Sequence, residues 1–284
     1  MNLPKTFRAP HLRHLLLTSF DIPIGSPLLT TTGSIVTLSL NLIPHSAYFD
    51  PNALLQQVSL MPQLEILGIY FDYHFPGYIE KQLLRTPIMT RITLPNLRWL
   101  GFKGASADLE ALLPHVALPL LEKLQVYFFD QLTYSISHLR QFMSTAENLW
   151  HNIITLAFHP QCVEVMAYPH EGARMYTLSI RLAAEVGSLK YDRRIESPRR
   201  IEPDRTQWRE LLGLFVNVKT LFVDGRLVRQ LSHALQPSTQ ESPTELLPEL
   251  QELSCPVMAS SDNAFIPFID ARQKAGIPVT IINP

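Results

Sequence analysis

Apolar and polar residues alternate along this chain in short bursts, and the bursts share a text. "MPQLEILGIYF" at 61–71, "LPNLRWLGF" at 94–102, "LPLLEKLQV" at 118–126 and "LPELQELSC" at 247–255 all carry proline, any residue, leucine, two residues, leucine. Looser versions stand at 10–17 ("PHLRHLLL"), 33–40 ("GSIVTLSL"), 150–158 ("WHNIITLAF"), 173–180 ("ARMYTLSI") and 215–223 ("FVNVKTLFV"). Alternation of this kind predicts a strand at each. Between them, apolar residues spaced near 3.6 predict helices over "NALLQQVSLMP", "GYIEKQLLRT" (77–86), "SADLEALLPHV", "SISHLRQFMSTAEN", "TQWRELLGLFVN" and "RLVRQLSHALQ". In the third of these Ser106 suits an N-cap, with Leu109, Leu112 and Leu113 on one face. The C-terminal "NAFIPFIDARQKAGIPVTIIN" predicts a helix stopped at Gly276 and a last edge strand.

The first apolar residue of each unit is Leu12, Ile35, Leu64, Leu97, Leu121, Ile153, Met175, Val218 and Leu250, in steps of 22 to 43 residues. Most steps fall at or just above the 20–29 residues of leucine-rich repeats. Strand followed by helix also describes a doubly wound sheet or a barrel. Shared residue identity at fixed offsets favours a solenoid, in which each unit buries its apolar face only against its neighbours. The predicted architecture is an α/β leucine-rich-repeat solenoid of nine irregular repeats. It is a curved horseshoe with a parallel concave sheet and outer helices, forming a single domain over 1–284. Two stretches, 159–174 and 190–208, are predicted to be irregular loops between repeats. The second carries five arginines against Asp192, Glu196, Glu202 and Asp204, so its charge nearly cancels.

In such a coil the pattern leucines point into the body, and the residue between the last two points into the concavity. Those residues are Leu16, Ser39, Gly68, Gly101, Gln125, Ala157, Ser179, Phe222 and Ser254; six of the nine are small, as a tightly curved inner wall favours. On and beside this row the candidate partner-binding residues are Tyr70, Trp99, Lys103, Tyr127, His159, Arg181, Phe222 and Asp224. Aromatics and arginine are the types that carry binding hot spots. Tyr70, Trp99 and Tyr127 fall on three successive coils, with Lys103, Lys123 and Arg181 around them. The same aromatics also suit a roof over the core edge, and a register slip of one residue turns each inward.

Composition narrows the function. Apolar residues make up 46% of the chain and leucine alone occurs 45 times, ample for a continuous core. A net charge of −1 argues against a partner held by phosphate electrostatics, so no nucleic-acid partner is expected. No apolar run has membrane-spanning length, and Pro4, Lys5, Arg8 and His11 interrupt the N-terminal stretch, unlike a signal peptide. With Cys162 and Cys255 alone and no Asn-x-Ser/Thr site, a cytoplasmic or nuclear location is expected.

Catalytic motifs fail on inspection. "HEGAR" at 170–174 has Arg174 where a zinc-protease helix needs its second histidine. "GASAD" at 104–108 has Asp108 where a nucleophile elbow needs glycine. His159 stands three residues before Cys162, with no orienting acid identifiable. The ten histidines form no Cys/His cluster at metal spacing, and no glycine-rich phosphate loop exists. No enzyme activity, cofactor or metal is expected.

The opening "LPKTFRAPHLRHLLL…SIVTLSL", the "ALLQQVSLMPQLEILGIYF" passage and the terminal "FIDARQKAGIPVTII" together resemble the C-terminal leucine-rich-repeat region of fungal F-box proteins of the mushroom-forming type. The resemblance covers nearly the whole chain. It implies a substrate-recruiting arm of a cullin-based ubiquitin ligase, in which an F-box docks the Skp1 adaptor and the repeats hold the protein to be ubiquitylated. The F-box is missing ahead of Leu12, so a Skp1-type adaptor is expected only for a longer form that carries one. A free-standing repeat scaffold without a ubiquitin role is the alternative.

Overall fold

The proline of each burst lies in a turn that aims the strand after it. The computed structural model describes residues 9–19, 29, 33–43, 51–71, 91–128, 136–146, 148–149, 153–159, 162–168, 178–183, 204–236, 246–255 and 264–282. Two residues after Pro10, Pro62, Pro95, Pro119 and Pro248, a leucine donates its N–H to the carbonyl three residues back. The pairs are Leu12–Ala9 (3.0 Å), Leu64–Met61 (3.1 Å), Leu97–Leu94 (3.3 Å), Leu121–Leu118 (3.3 Å) and Leu250–Leu247 (3.0 Å). Proline's fixed φ suits the second position of such a turn. Met61, Leu94, Leu118 and Leu247, each just before the proline, are buried, so the repeated unit begins one residue earlier than the leucine pattern suggests.

The strands are β1 (His14–Thr18), β2 (Thr37–Ile43), β3 (Ile66–Phe71), β4 (Ile92–Thr93), β5 (Trp99–Gly104), β6 (Val116–Ala117), β7 (Lys123–Phe128), β8 (Ile153–His159), β9 (Cys162–Tyr168), β10 (Leu178–Ala183), β11 (Thr220–Val223), β12 (Glu252–Ser254) and β13 (Thr280–Ile282). The described helices are α1 (Pro51–Ser59), α2 (Ser106–Leu112), α3 (Ser137–Thr145), α4 (Arg205–Leu212), α5 (Val228–Leu235) and α6 (Ile266–Lys274). None of them is long and apolar enough to cross a membrane. The fold is mixed α/β with mostly parallel strand pairing. Two compact units can be described within the chain: Met1–Phe129 with Val186–Asp192, and Asp130–Glu185 with Arg193–Pro284. The division follows the end of β7, the last strand of an array laid down in sequence order.

In the first unit β1, β2, β3, β5 and β7 lie side by side in that order, all parallel. Leu15, Leu38, Leu67, Leu100 and Leu124 are level and buried. Ile35, Leu64, Leu97 and Leu121 form a buried row before them, and Leu40, Ile69, Phe102 and Val126 a buried row after them. Each buried leucine is worth about 1.5–3 kcal/mol relative to exposure. Successive parallel strands are also tied by a backbone carbonyl just ahead of one strand, which accepts two N–H groups at the start of the next. Arg13 accepts from Val36 and Thr37, Val36 from Glu65 and Ile66, Glu65 from Arg98 and Trp99, and Arg98 from Glu122 and Lys123, all at 2.8–3.0 Å. Against the leucine rows lie α1, α2 and the short parallel pair β4–β6. Between them remains an apolar void of about 40 Å³ lined by Val58, Leu67, Leu100, Leu109 and Val116 among others.

One capping expectation is corrected here. Ser106 is the first helical residue of α2, and Ala105 holds the N-cap position without a side-chain bond. Ser106 is fully buried, one place too late to cap. Leu109, Leu112 and Leu113 are buried as expected. The helix predicted at 77–86 and the unit start at Met175 lie outside the described residues.

The second unit has strand order β10-β9-β8-β11-β12-β13. From β8 onward the pairing is parallel, with Leu221 and Leu253 level and buried. Lys219 repeats the shared carbonyl, accepting from Gln251 at 2.8 Å and Glu252 at 2.9 Å. Strand β9 is antiparallel to both β8 and β10, with Thr155, Met166 and Ser179 level. The loop predicted over 159–174 therefore contains a strand. "CVEVMAY" does alternate, with Val165 and Ala167 buried, but it lacks the leucines that mark the other units. A three-stranded meander thus stands where two parallel repeats were expected, and strand order departs from sequence order. Thr220 pairs with Ile153, which makes Thr155 level with Phe222 and shifts the predicted position of Ala157 by two residues.

The loop predicted over 190–208 ends by Asp204; residues 190–203 lie outside the described ones. Asp204 accepts from the Gln207 N–H at 2.8 Å and Gln207 Oε1 accepts from the Asp204 N–H at 3.0 Å, a reciprocal cap that starts α4. From α4, Arg205 and Arg209 donate to the carbonyls of Gln236 (2.8 Å) and Ala234 (3.3 Å) at the C-terminal end of α5, where positive charge is favoured. Helix α6 ends as predicted at Gly276, whose φ of +79° lets Ile277 N–H reach the Arg272 carbonyl at 3.0 Å.

Arg272 is fully buried and holds the last proline turn. Its guanidinium donates to the carbonyls of Leu247, Pro248 and Leu250, each at 3.0 Å, and lies 5.8 Å from the Phe268 ring centre. Leu247 has φ +52°, disfavoured for leucine and more so before proline. Burial pulls the Arg272 pKa below its ordinary value, while Glu249 opposes the shift. We predict that Arg272→Met, which leaves three carbonyls without their donor, lowers stability by about 2–4 kcal/mol in urea unfolding. Arg98→Met, which breaks an exposed pair with Glu122, is expected to change it by under about 1 kcal/mol. Equal effects would remove the clamp from the account.

Candidate partner-binding face

Residues of the first unit's strands that alternate with the leucines form the opposite face of the sheet. Three rows cross it by register: Thr37, Ile66, Trp99 and Lys123; then Ser39, Gly68, Gly101 and Gln125; then Tyr70, Lys103 and Tyr127. Four of the eight candidates, Tyr70, Trp99, Lys103 and Tyr127, are therefore brought together, each half-buried. They lie on the face away from the leucine rows, so they do not roof the core.

The glycines explain how the aromatics lie. A Cβ at Gly101 would meet the Tyr70 hydroxyl at 2.2 Å and Trp99 at 2.6 Å; a Cβ at Gly68 would meet the Tyr70 ring at 2.6 Å and Ser39 Oγ at 3.1 Å. The Tyr70 ring thus lies across two adjacent strands on bare backbone, with Trp99 beside it at 6.5 Å between ring centres and 43° between planes. At Gly68 and Gly101 the structure supplies a local reason for the small residue. These two positions are the floor of an aromatic shelf. The signal was present in the text: "GIY" and "WLG" each set an aromatic two places from glycine, which on a strand means the same face.

Lys103 Nζ lies 5.4 Å from the Tyr127 ring centre, a cation–π distance that also fixes the ammonium at the shelf's end. Leu16 is 67% exposed and Ile66 36%, adding apolar surface to the same face. At the β1 side His14 Nδ1 and Thr37 Oγ1 are 3.1 Å apart, and Ser39 Oγ donates to Asn41 Oδ1 at 3.2 Å. Strands β1, β2, β3, β5 and β7 contain two lysines, Lys103 and Lys123, and no Asp or Glu.

The other four candidates belong to the second unit. Phe222 is half-buried and level with Ser254. Asp224 is taken up locally: its Oδ1 accepts from the Arg226 N–H at 2.8 Å and lies 3.4 Å from Arg226 Nε, while Leu227 N–H donates to its carbonyl. That is a turn ahead of α5. His159 stands opposite Cys162 and Arg181 opposite Glu164 in the backbone register. Among the described residues no group of three His, Cys, Asp or Glu is placed to hold a metal ion. A scan against protein-family models and a search of curated proteins return no match to this chain.

If the floor sets the shelf, Gly101→Ala must displace Tyr70, Trp99 or both. The expected outcome is a changed near-ultraviolet dichroism with far-ultraviolet dichroism retained, and a stability loss of about 1–3 kcal/mol. Gly33→Ala, where the nearest atom to an added Cβ is 3.9 Å away, serves as the silent control. An aromatic signal unchanged by Gly101→Ala would contradict the floor.

Proposed function

We propose that this chain is a protein-binding leucine-rich-repeat module, the substrate-recruiting arm of an F-box-type ubiquitin-ligase receptor. The observation that carries the binding half is the Tyr70–Trp99 shelf, held half-buried on a glycine floor beside Lys103 and Tyr127. Rigid aromatics at the centre of a face are the residues from which interfaces draw most of their energy. The repeat half is supported by the proline turn, the buried leucine rows and the shared carbonyl recurring in both units. Stacked coils of a solenoid present such a sheet as a continuous concave binding surface. The ubiquitin connection is supported by the resemblance of the repeats, and a Skp1-type adaptor would dock on a longer form that carries an F-box. The compartment consistent with this role is the cytoplasm or nucleus.

Affinity capture from native extract, read by mass spectrometry, tests both halves. Skp1 and cullin are expected with an F-box-bearing form, together with a protein lost from the Trp99→Ala variant. Trp99→Ala is expected to weaken that capture by more than about 1 kcal/mol, roughly fivefold or more, with melting nearly unchanged. Recovery of a Trp99-dependent partner without Skp1 or cullin would favour a free-standing scaffold. A large fall in melting with unaltered capture would assign Trp99 to the core.

A further inference from the structure

We propose that this chain forms a two-fold dimer in which β1 pairs antiparallel with β1 of a second copy, centred on Leu16. This goes beyond the protein-binding reading and does not depend on it. Among the described residues β1 ends its sheet, with β2 as its one neighbour. The Arg13 carbonyl accepts from Val36 and Thr37, and the Ser19 N–H donates to the Asn41 carbonyl at 3.0 Å. The odd-numbered residues of this stretch therefore bond to β2. Alternation along the strand turns the N–H and C=O groups of His14, Leu16 and Thr18 to the outer side, where no described strand meets them. Leu16 is 67% exposed, more than any other large apolar residue described, and His14 and Thr18 on the same face are exposed too.

Open sheet edges are normally guarded by charge, proline, a bulge or brevity. Strand β1, "HLLLT", runs five residues with no proline, lysine, arginine or carboxylate. The other end strand, β13, has three residues and so offers little ladder to pair. A second β1 supplies what the edge lacks. With Leu16 opposite Leu16 of the copy, His14 falls opposite Thr18 and Leu15 opposite Leu17, so each leucine keeps the face it already occupies. Three outward residues from each copy then make about six ladder hydrogen bonds. Charge permits the pairing, because the two copies of Arg13 stand at opposite ends of it, about 20 Å apart. A two-fold contact of this kind is self-complementary, the commonest form of oligomer interface. Its area is small for a permanent dimer, so dissociation on the order of micromolar or weaker is expected.

Sedimentation velocity on the full chain, from about 1 to 200 µM, tests this. The expected result is a mass that rises with concentration from 32.3 kDa towards twice that value. Leu16→Lys, a change at an exposed side chain, should stay monomeric throughout with far-ultraviolet dichroism and melting retained. Cross-linking reads the register. In Leu16→Cys a short bis-maleimide should join two copies, because residues paired at the two-fold axis lie about 5.5 Å apart between Cα atoms. Thr18→Cys, about 14 Å from its own copy, should resist that reagent yet be joined to His14→Cys when the two are mixed. The unsubstituted chain is the blank for Cys162 and Cys255. A chain monomeric at 200 µM overturns the inference, as does Leu16→Lys that still dimerises. Dimers in which Leu16→Cys is not joined to itself overturn it too, since the copies then meet through another surface. Each of these outcomes leaves Trp99-dependent capture, and the reading drawn from it, untouched.

Discussion

The structure depends on leucines of neighbouring parallel strands meeting at one height. A strand in such an array has one face that cannot meet water without losing its stability. Its neighbours cover that face only if their leucines arrive at the same height. The proline turn and the shared carbonyl enforce that height. The turn fixes where Leu64, Leu97 or Leu121 enters, and the carbonyls of Glu65 and Arg98, after the first two, each accept two N–H groups from the next strand's segment. Side chains repeat the tie, as when Asn96 donates to the Pro62 carbonyl at 2.9 Å. With the register set by these devices, the opposite face is free of packing duty, and its residues can be chosen for chemistry.

What the first unit does with that freedom is specific. Most strands would fill the positions of Gly68 and Gly101 with β-branched residues, which suit a pleated surface. Giving up those side chains costs strand propensity and places two large rings on bare backbone. The second unit uses the same positions differently, with Phe222 and Ser254 level on one row and Asp224 spent on a turn. The two units share a backbone scheme while differing in surface chemistry. The recognition proposed above therefore belongs to the first unit alone.

The sequence was most legible where residue identity repeats. Leucine rows, proline turns and the helices at 51–59, 106–112 and 266–274 follow from period and punctuation, and the registers of β1, β2, β3, β5 and β7 came out as the leucine pattern implies, whereas the short pair β4–β6 was not foreseen. It was least legible at β8 to β10. "CVEVMAY" has only valine and alanine on its buried side, so a search tuned to leucine passes over it, and antiparallel pairing leaves no mark in the text. The aromatic cluster was readable by register, while the local reason for its floor, the Tyr70 and Trp99 rings over Gly68 and Gly101, was not drawn from the text. Glycine on a strand usually signals close approach of something, and that something was the chain's own tyrosine. Arg272 was invisible because an arginine near a helix end reads as surface; only the three carbonyls it meets explain its burial.

The central claim is that leucine stacking seals one face of the first unit and leaves Trp99 on the other, open to solvent and to a partner. Fluorine NMR of the chain labelled with 5-fluorotryptophan, titrated with a neutral gadolinium chelate, measures this directly. The Trp99 resonance, assigned by its loss in Trp99→Phe, should broaden strongly while that of buried Trp208 stays sharp. A Trp99 resonance as protected as that of Trp208 would contradict the account.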